Sequence, residues 1–329
     1  MISTFAVLGL AAGFAAVTVV CCVLALAYAR RRQLVDQPGE RRSHSVATPR
    51  GGGAGIVLAV LLAALAACWL LPGWRVELGV ACLGLLLVAG IGWWDDHRPL
   101  PALLRLCVHM LAGSLLGWLL WRDGAGAAWA LLGFALCVGL VNVWNFMDGI
   151  NGLAASQAAL AALALAVVMP APQGLAGVLV AVACLAFLPF NFPRARIFMG
   201  DVGSGALGYL LACLVLLGLR CAPDVPPPLL LWPLSVFLID AAFTLMIRIW
   251  RGEAWMQAHT EHLYQWYVKS GYSHARVTSG YAVASLLMCL MMLAMEGQGV
   301  WMVVAATVVL WGLGALCWQC LRHGLKQRA

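Results

Sequence analysis

The sequence predicts an all-α, polytopic integral membrane protein, and three observations lead to this fold class. Of its 329 residues, 64% are hydrophobic and only 10% are charged, and the mean hydropathy is +0.93. The apolar residues form repeated runs of roughly 16 to 22 residues, each able to cross a ~30 Å hydrocarbon core as a helix. The alternating pattern of outer-membrane barrel strands is absent, and helices satisfy their backbone amides within one segment.

The apolar runs predict about eleven transmembrane helices along the chain. Their approximate bounds are 5–29, 53–71, 78–94, 103–121, 128–145, 153–169, 174–190, 203–219, 229–250, 279–295 and 299–320. The first run is too long for a cleaved signal peptide, and its basic cluster, residues 30–32, follows it rather than preceding it. We therefore expect a membrane anchor whose N-terminus lies outside, in a single transmembrane domain over residues 1–329.

Charge placement predicts how the chain is oriented in the membrane. With the N-terminus outside, one face receives the C-terminal tail and the connections at about 30–52, 95–102, 146–152, 191–202 and 251–278. Of the twenty Lys and Arg residues, only Arg75, Arg122 and Arg220 fall on the opposite face. The positive-inside rule therefore makes the first face, with the C-terminus, cytoplasmic. Because the net charge of +7 follows from this topology, we expect no nucleic-acid partner.

The carboxylates on the predicted cytoplasmic face indicate a metal site. The stretch "GWWDDHRPLP" ends the third span with Asp95 and Asp96 at the water boundary. Adjacent acids repel each other unless they share a cation or a proton, so the pair is either a solvated helix cap or a metal or general-base site. Carboxylates gathered where many arginines already lie indicate a divalent cation and a polyanionic ligand that share one site.

Two glycine-rich junctions on this face precede helices. "NFMDGINGLAA" leads into the sixth span and "NFPRARIFMGDVGSGALGYL" into the eighth, with Asp148 and Asp201 just ahead of the respective helices. The free N–H groups and the positive end of a helix favour phosphate oxygens. Ordinary capping by Asp and Gly explains a single junction equally well. Two such junctions on one face, each preceded by Asn and an aromatic residue, favour a phosphate ligand.

Other polar residues add candidate contacts. Arg50 lies in a turn before the second span, where it can bind a phosphate bidentately, although positive-inside anchoring also explains it. His259 and His262 are three residues apart, so on a helix they would share one face. Such a pair is a weak zinc signal and fits imidazoles that hydrogen-bond a phosphate better. Asp240, near the middle of the ninth span, is either functional or held by a structural partner.

Together and in this order, these stretches resemble the polyprenyl-phosphate N-acetylhexosamine-1-phosphate transferase family, glycosyltransferase family 4. Among its branches the chain is most similar to the O-antigen initiating transferases of the WbpL type, and the matching region runs from about Asp36 to Thr278. The resemblance implies a Mg²⁺-dependent enzyme, with Mn²⁺ as a substitute cofactor. It implies transfer of an N-acetyl amino sugar 1-phosphate from a UDP-sugar to undecaprenyl phosphate, with release of UMP.

The same resemblance implies a cellular setting. The enzyme would initiate lipid-linked O-antigen or other cell-surface polysaccharide synthesis. It would do so as a multi-pass protein of the bacterial inner membrane, in contact with the lipid bilayer and with its active site facing the cytoplasm. A homodimer is compatible with this setting.

The resemblance also assigns roles to residues, position by position. The family's catalytic residues fall on Asp95, Asp96, Asp148, His259 and His262, and its metal ligands on Asp201 and Asp95. Its substrate-binding residues fall on Arg50, Asn142, Asn145, Asn151, Asn191, Arg248 and Arg251. The chain departs from the family pattern at Asn151, where a second acid is common, and in its shortened histidine cluster. Because an amide carries no charge and can donate a hydrogen bond, we expect Asn151 to contact substrate rather than metal.

A transporter of an anionic sugar or nucleotide is the competing function, since polar residues in a helical bundle also suit a permeation path. Against it, the polar residues gather on one face, and the sequence has no matched pair of broken helices. A CDP-alcohol phosphotransferase is disfavoured because "DGINGLAAS" lacks the arginine of that motif. The sequence leaves the sugar open among GlcNAc, FucNAc, QuiNAc and others. Direct transfer is favoured over a two-step route through an enzyme-bound phospho-nucleotide.

Overall fold

The structure confirms an all-α architecture. The computed structural model describes residues 4–37, 46–253, 257 and 259–327, so parts of the predicted 30–52 and 251–278 loops lie outside the described residues. The helices are α1 (Thr4–Arg31), α2 (Ala54–Leu70), α3 (Arg75–His97), α4 (Ala102–Arg122), α5 (Ala127–Phe146), α6 (Leu153–Val168), α7 (Gly174–Asn191), α8 (Asp201–Cys221), α9 (Ser235–Trp250), α10 (Leu263–Lys269), α11 (His274–Ala294) and α12 (Val300–Lys326). Two 3₁₀ segments, Pro72–Trp74 and Pro227–Leu234, precede α3 and α9, and strands β1 (Val35–Asp36) and β2 (Thr48–Pro49) form a short antiparallel pair.

Each of the eleven predicted spans corresponds to a helical segment. Nine segments in the described part of the chain are long and apolar enough to cross a membrane. Two shorter apolar helices, α2 and α6, occupy the second and sixth predicted spans. The chain is therefore a polytopic membrane protein. The seven-residue α10 lies in the predicted 251–278 loop and is not one of these spans. The outside position of the N-terminus stays a prediction.

Helix α8 lies at the centre of the bundle, where it contacts α3, α5 and α6 and is the most buried of the spanning segments. Helices α3 and α8 approach closely where Gly92 faces the start of α8. A Cβ atom at Gly92 would lie 2.4 Å from the carbonyl oxygen of Asp201, a separation at which atoms overlap. The absence of a side chain at Gly92 therefore lets the end of α3, with Asp95 and Asp96, reach the first residue of α8.

The two ends of the bundle carry different polar contacts. At one end, which we name the site end, the connections after α1, α3, α5, α7 and α9 line a common cavity. At the opposite end, Arg220 pairs with Asp123 at 2.7 Å and Arg122 pairs with Glu77 at 3.3 Å. The connections predicted to share one face are thus grouped together, while the orientation of that face in the membrane stays a prediction.

Candidate active site

Asp96 caps the first turn of α8. Its carboxylate accepts hydrogen bonds from the backbone N–H groups of Asp201 (3.0 Å) and Val202 (3.1 Å). It also accepts from Nε (3.0 Å) and Nη2 (2.7 Å) of Arg50. Since Asp96 is only 4% exposed, it is not a solvated cap of its own helix. A carboxylate at the positive end of a helix is favourable, and here α3 supplies it to α8.

Arg105 joins the two other carboxylates of this region. Its Nη1 lies 2.6 Å from Asp201 Oδ2 and 3.2 Å from Asp95 Oδ2. Carboxylates from α3 and α8 thus converge on one nitrogen of α4. A guanidinium in this position offsets their charge and is a suitable partner for a phosphate oxygen. Sequence reasoning did not identify Arg105 as a site residue. The available signal was a lone arginine near the start of an apolar span, 10 residues after Asp95.

Asp148 approaches the same carboxylates from the turn between α5 and α6, where it is half-buried. Removal from solvent raises the pKa of Asp148 well above its usual value, and the charges of Asp201 and Asp96 raise it further. A cluster of like charges such as this favours a bound proton or cation. The structure therefore brings the predicted catalytic aspartates and the predicted metal ligands into one group.

Asn191 connects the two glycine-rich junctions. Its Oδ1 accepts from the Gly152 N–H (2.7 Å) and its Nδ2 donates to the Ile197 carbonyl (2.9 Å). Asn151 adds a second link, from its Nδ2 to the Pro193 carbonyl (3.0 Å). Gly152 has a φ of +73°, which a glycine adopts without strain. These bonds hold the starts of α6 and α8 beside each other, as two adjacent helix N-termini facing one site.

Asn142 and Asn145 lie on the last turns of α5. Asn145 Nδ2 donates to the Ser204 hydroxyl of α8 at 3.1 Å, whereas Asn142 Nδ2 donates to the Val138 carbonyl of its own helix at 2.7 Å. Both side chains are half-buried and line the cavity, so their amides lie where a ligand can reach them. Their predicted role in substrate binding stays a prediction.

His259 and His262 lie just before α10, with their ring centroids 4.9 Å apart. His262 is 3% exposed at the N-cap of α10, where its backbone N–H donates to Gln265 Oε1 (3.0 Å). Burial lowers the pKa of His262, and burial together with the neighbouring His262 lowers the pKa of His259 to about 4. Both imidazoles are therefore neutral near pH 7, which favours hydrogen bonding over charge pairing with a phosphate.

Arg248 and Arg251 lie beside the site and not in its wall. Arg248 is buried and pairs with Glu253 (2.7 Å) and Glu261, and Arg251 lies 3.3 Å from Glu261. Neither arginine lines the cavity that holds the other predicted site residues. Both arginines thus pair with protein carboxylates, and their assignment to substrate binding stays a prediction.

One cavity of about 1050 Å³ collects these groups at the site end. Its wall contains the predicted residues Arg50, Asp95, Asp96, Asn142, Asn145, Asp148, Asn151, Asn191, Asp201, His259 and His262. The part between α4, α5 and α9 is apolar, and is lined by Leu106, Met110, Phe134, Val138, Leu238, Ala241, Ala242 and Leu245. A cavity with this division suits a ligand that has both charged and apolar parts.

His109 is a second cavity residue that sequence reasoning missed. It lies one helical turn after Arg105 on α4, and it is 8% exposed. Its Nδ1 is buried and has no hydrogen-bond partner among the described residues. Because α4 begins at the site end and rises about 1.5 Å per residue, His109 lies about 10 Å along the helix from its first residue. A buried histidine therefore marks the border between the charged and apolar parts of the cavity.

The carboxylates fit a small, hard cation. Asp95 and Asp201 offer oxygen ligands, and Mg²⁺ usually takes one or two carboxylates together with waters and substrate phosphates. The described residues contain no group of three or more His, Cys, Asp or Glu arranged to hold a metal, so any cation here would take its remaining ligands from water or substrate. The donor set of Asp201 and Asp95 thus matches the predicted Mg²⁺, whose binding stays a prediction.

Sequence comparisons point to the same kind of protein. The profile of glycosyl transferase family 4 matches residues 78–219, which include the carboxylate cluster and both glycine-rich junctions. A decaprenyl-phosphate N-acetylglucosaminephosphotransferase of Mycobacterium leprae (strain TN) is 31% identical over 298 residues, covering 76% of this chain and 73% of the relative. The chain belongs to glycosyl transferase family 4.

Further members of family 4 are similar over different lengths. A probable undecaprenyl-phosphate N-acetylglucosaminyl 1-phosphate transferase of Bacillus subtilis (strain 168) is 29% identical over 262 residues, covering 73% of this chain and 71% of the relative. A phospho-N-acetylmuramoyl-pentapeptide-transferase of Thermosynechococcus vestitus is 35% identical over 195 residues, covering 50% of each chain. The family predicted from the motifs, that of the polyprenyl-phosphate sugar-1-phosphate transferases, is confirmed.

Proposed function

We propose that this protein transfers an N-acetyl amino sugar 1-phosphate from a UDP-sugar to undecaprenyl phosphate and releases UMP. The observation that supports it best is the single cavity in which carboxylates, arginines and two helix N-termini meet an apolar wall. A nucleotide-sugar diphosphate needs the charged part of such a cavity, and an isoprenoid phosphate needs both parts. Relatives named for decaprenyl or undecaprenyl phosphate and N-acetylglucosamine support the same substrate classes.

The donor diphosphate is placed at the adjacent starts of α6 and α8. Their first N–H groups and positive ends favour phosphate oxygens. Two of the N–H groups of α8 already donate hydrogen bonds to Asp96. The neutral imidazoles of His259 and His262 add hydrogen-bonding groups at the same cavity. Asn151 lines this part of the cavity and offers amide contacts to the sugar or the phosphates.

The acceptor is placed across the border between the two parts of the cavity. Its isoprenoid chain lies along the apolar wall of α4, α5 and α9, which removes apolar surface from water. Its phosphate then reaches the carboxylate end beside Arg105, with His109 one turn deeper. Arg105 balances the charge of the acceptor phosphate against that of Asp95 and Asp201.

The transfer itself needs one bond to form and one to break. An oxygen of the acceptor phosphate attacks the β-phosphorus of the UDP-sugar, and the bond from that phosphorus to the oxygen bridging the α-phosphate breaks. The bridging oxygen leaves with UMP, and the product is the polyprenyl-diphospho-sugar. A phosphate monoester has its second pKa near ~6, so the attacking oxygen is already ionised near neutral pH and needs no strong base. Positioning and charge neutralisation then carry most of the catalysis.

Asp201, with Asp95, would hold Mg²⁺, or Mn²⁺ in its place. When bound, the cation supplies neutralisation of the charge on the diphosphate. The charges of Asp201 and Asp96 raise the pKa of Asp148, so a cation bound beside these carboxylates would offset their mutual repulsion. Asp95, the more accessible member of the adjacent pair, orients the acceptor phosphate through Arg105.

The cellular setting follows from charge and from the acceptor. The site end carries most of the basic residues, which supports a cytoplasmic active site in a bacterial inner membrane. Within that membrane we assign the protein to the initiation of lipid-linked O-antigen or cell-surface polysaccharide synthesis. Its assembly as a homodimer stays a prediction.

A panel of donors tests the proposed function. Membranes that contain the protein receive UDP-GlcNAc, UDP-FucNAc or UDP-QuiNAc with undecaprenyl phosphate and Mg²⁺, and UMP release is followed with and without EDTA. We expect UMP from at least one donor, dependent on the acceptor and abolished by EDTA. The absence of metal-dependent UMP from folded protein would overturn the proposal. Uptake of the sugar nucleotide into vesicles without UMP would favour the transporter instead.

A further inference from the structure

The buried side chains of helix α12 are concentrated at its C-terminal end. Four of its described side chains are buried, namely Val303, Trp318, Arg322 and Leu325. Three of these four lie in its last three turns, at the site end, while most of the helix exposes apolar side chains such as Val308 and Leu313. The end of α12 is therefore packed against the protein, whereas most of the helix is exposed.

Trp318 contacts the active-site region through Asp240. Its indole N–H donates to Asp240 Oδ1 at 2.9 Å, and Asp240 is 1% exposed. The same oxygen accepts from the backbone N–H of Leu263 at 2.8 Å, and the other oxygen accepts from the Tyr281 hydroxyl at 2.7 Å. One buried carboxylate thus links α12, α10 and α11. Because Leu263 follows His262 directly, the position of the Asp240 carboxylate fixes the backbone just after this histidine.

Arg322 contacts the residue on the other side of the same histidine. Its Nη2 donates to Glu261 Oε2 at 2.9 Å, and Arg322 is 4% exposed. Glu261 also accepts from Arg248 of α9, so the carboxylate lies between two helices. His262 is therefore flanked by Glu261, which Arg322 holds, and by Leu263, which Asp240 holds.

We propose that the end of α12 positions the histidine segment of the active site, residues 259–263, with Trp318 acting through Asp240 and Arg322 acting through Glu261. Trp318 and Arg322 are four residues apart and share one face of the helix, so a single face reaches both neighbours of His262. Neither side chain lines the cavity, which makes them positioning residues. The inference rests on the proposed transfer function, because it assigns His262 to that reaction.

The physical reason for such an arrangement is the freedom of the chain that carries the histidines. Residues 259–262 lie between α9 and α10 in no regular secondary structure. Holding a reacting or binding group in its productive geometry before substrate arrives removes an entropic cost from the reaction, and small displacements are costly. The two contacts of α12 supply this constraint from a helix that is otherwise largely apolar and exposed.

The test uses two variants and a matched control in the full chain. Trp318→Phe keeps an aromatic ring but removes the indole N–H and part of the ring system, a loss of size that the Trp311→Phe control shares, and Arg322→Gln removes the charge. Trp311→Phe is the control, because the Trp311 indole on the same helix donates to Ser235 (3.0 Å), away from the histidine segment. With purified protein, UDP-GlcNAc or the donor found active, and undecaprenyl phosphate, we expect both variants to lower kcat about tenfold or more with little change in either KM. The control should keep the wild-type kcat.

A double variant separates positioning from stability. If Arg322 acts through Glu261, then Arg322→Gln should cost little further activity in a Glu261→Gln background, and Arg322→Lys should restore part of kcat. Wild-type kcat in Trp318→Phe and Arg322→Gln, with only a lower Tm, would overturn the inference, as would independent effects in the double variant. If Arg322→Gln does not fold, the kcat of Trp318→Phe alone decides whether the inference holds. Failure of the proposed function itself would be distinguishable, because the wild-type protein would then release no UMP.

Discussion

At the residue scale, Asp95 and Asp96 are neighbours in sequence with different surroundings. Asp96 is buried and accepts four hydrogen bonds, from Arg50 and from the start of α8. Asp95 is half-buried, lines the cavity and contacts Arg105 and the Leu100 N–H. The two acids therefore have different contacts, and the roles predicted for the pair stay predictions. Asp96 holds α3, Arg50 and α8 together, whereas Asp95 is the more exposed of the two at the cavity.

His109 provides a prediction at this scale. We expect His109→Leu to raise the KM for undecaprenyl phosphate about tenfold or more, because it removes a hydrogen-bonding group at the border where the acceptor phosphate is placed. The KM for the UDP-sugar should change much less, and His109→Gln should retain part of the affinity. Both KM values are measured from initial rates, with each substrate varied in turn.

Ser114→Ala is the control for His109, since the Ser114 hydroxyl is on the same helix and donates to the Met110 carbonyl of its own backbone (2.9 Å). It should keep both KM values. An equal rise of the donor and acceptor KM in His109→Leu would contradict the placement of the acceptor.

At the element scale, the site depends on how closely α3 and α8 approach. The contact occurs at Gly92, where a Cβ would meet the backbone of Asp201 at 2.4 Å. Backbone atoms cannot rotate away as a flexible side chain can, so the helices would have to separate. The carboxylates of α3 and α8 would separate with them. The spacing of two helices, rather than any single side chain, thus sets the geometry of the cluster.

Gly92→Ala tests this dependence. We expect it to lower kcat roughly 100-fold through displacement of the carboxylates and to destabilise the protein by about 1–3 kcal/mol through overpacking. Gly90→Ala is the matched control on the same helix, because no atom lies within 4 Å of its Cβ position. Transfer rates and Tm are measured for both. Activity of Gly92→Ala equal to that of Gly90→Ala would contradict the role of the close approach.

The elements themselves were largely predictable, since each apolar run became a helix and α6 and α8 begin at the two glycine-rich junctions. The length of an apolar run is enough to predict a membrane-spanning helix. The contacts between elements were not predictable in the same way. Arg50 and Asp96 are 46 residues apart, and Arg105 and Asp201 are 96 apart, so no local spacing links them. Arg105 and His109 lie inside an apolar run, where no local motif marks them as site residues.

Asp240 is a second residue whose contacts could not be predicted from the sequence. Its position in an apolar span indicated either function or a structural partner, and the structure supplies partners from α10, α11 and α12. These partners lie 23 to 78 residues away along the chain. A sequence pattern identifies such a residue as exceptional, and the tertiary fold decides what it contacts.

At the scale of the whole molecule, the protein divides into an apolar bundle and one charged end. The charged end carries carboxylates with a raised pKa, as at Asp148, and imidazoles with lowered pKa values. Groups held away from their ordinary ionisation are typical of functional sites, and they also make stability depend on pH. The site therefore affects the stability of the entire bundle as well as its activity.

Acidification should weaken the stability that the buried, neutral His259 contributes. Burial and the neighbouring His262 lower the pKa of His259 to about 4, from an ordinary value of 6.5. Between these values the unfolded chain binds a proton at His259 that the folded chain does not, so this contribution, present above pH 6.5, is lost as the pH falls toward 4. The buried carboxylates are common to both proteins, so we expect the Tm of the detergent-purified wild type to fall over this range relative to the Tm of His259→Gln.

The exposed His323 gives the control for this measurement, since His323→Gln should follow the wild-type profile. Identical pH profiles for His259→Gln and the wild type would show that the buried imidazole does not set the acid sensitivity.

We propose as the central point that the carboxylate end of the cavity catalyses transfer of a sugar 1-phosphate to the lipid. The most direct measurement follows a UDP-sugar labelled at its β-phosphate in vesicles that contain purified protein, undecaprenyl phosphate and Mg²⁺. We predict that the label moves to the lipid with one UMP released for each label transferred. Asp201→Asn should lower this rate about 100-fold or more. Asp123→Asn, at the opposite end of the bundle, should not. Near-normal transfer by Asp201→Asn, or UMP release without labelled lipid, would contradict the account.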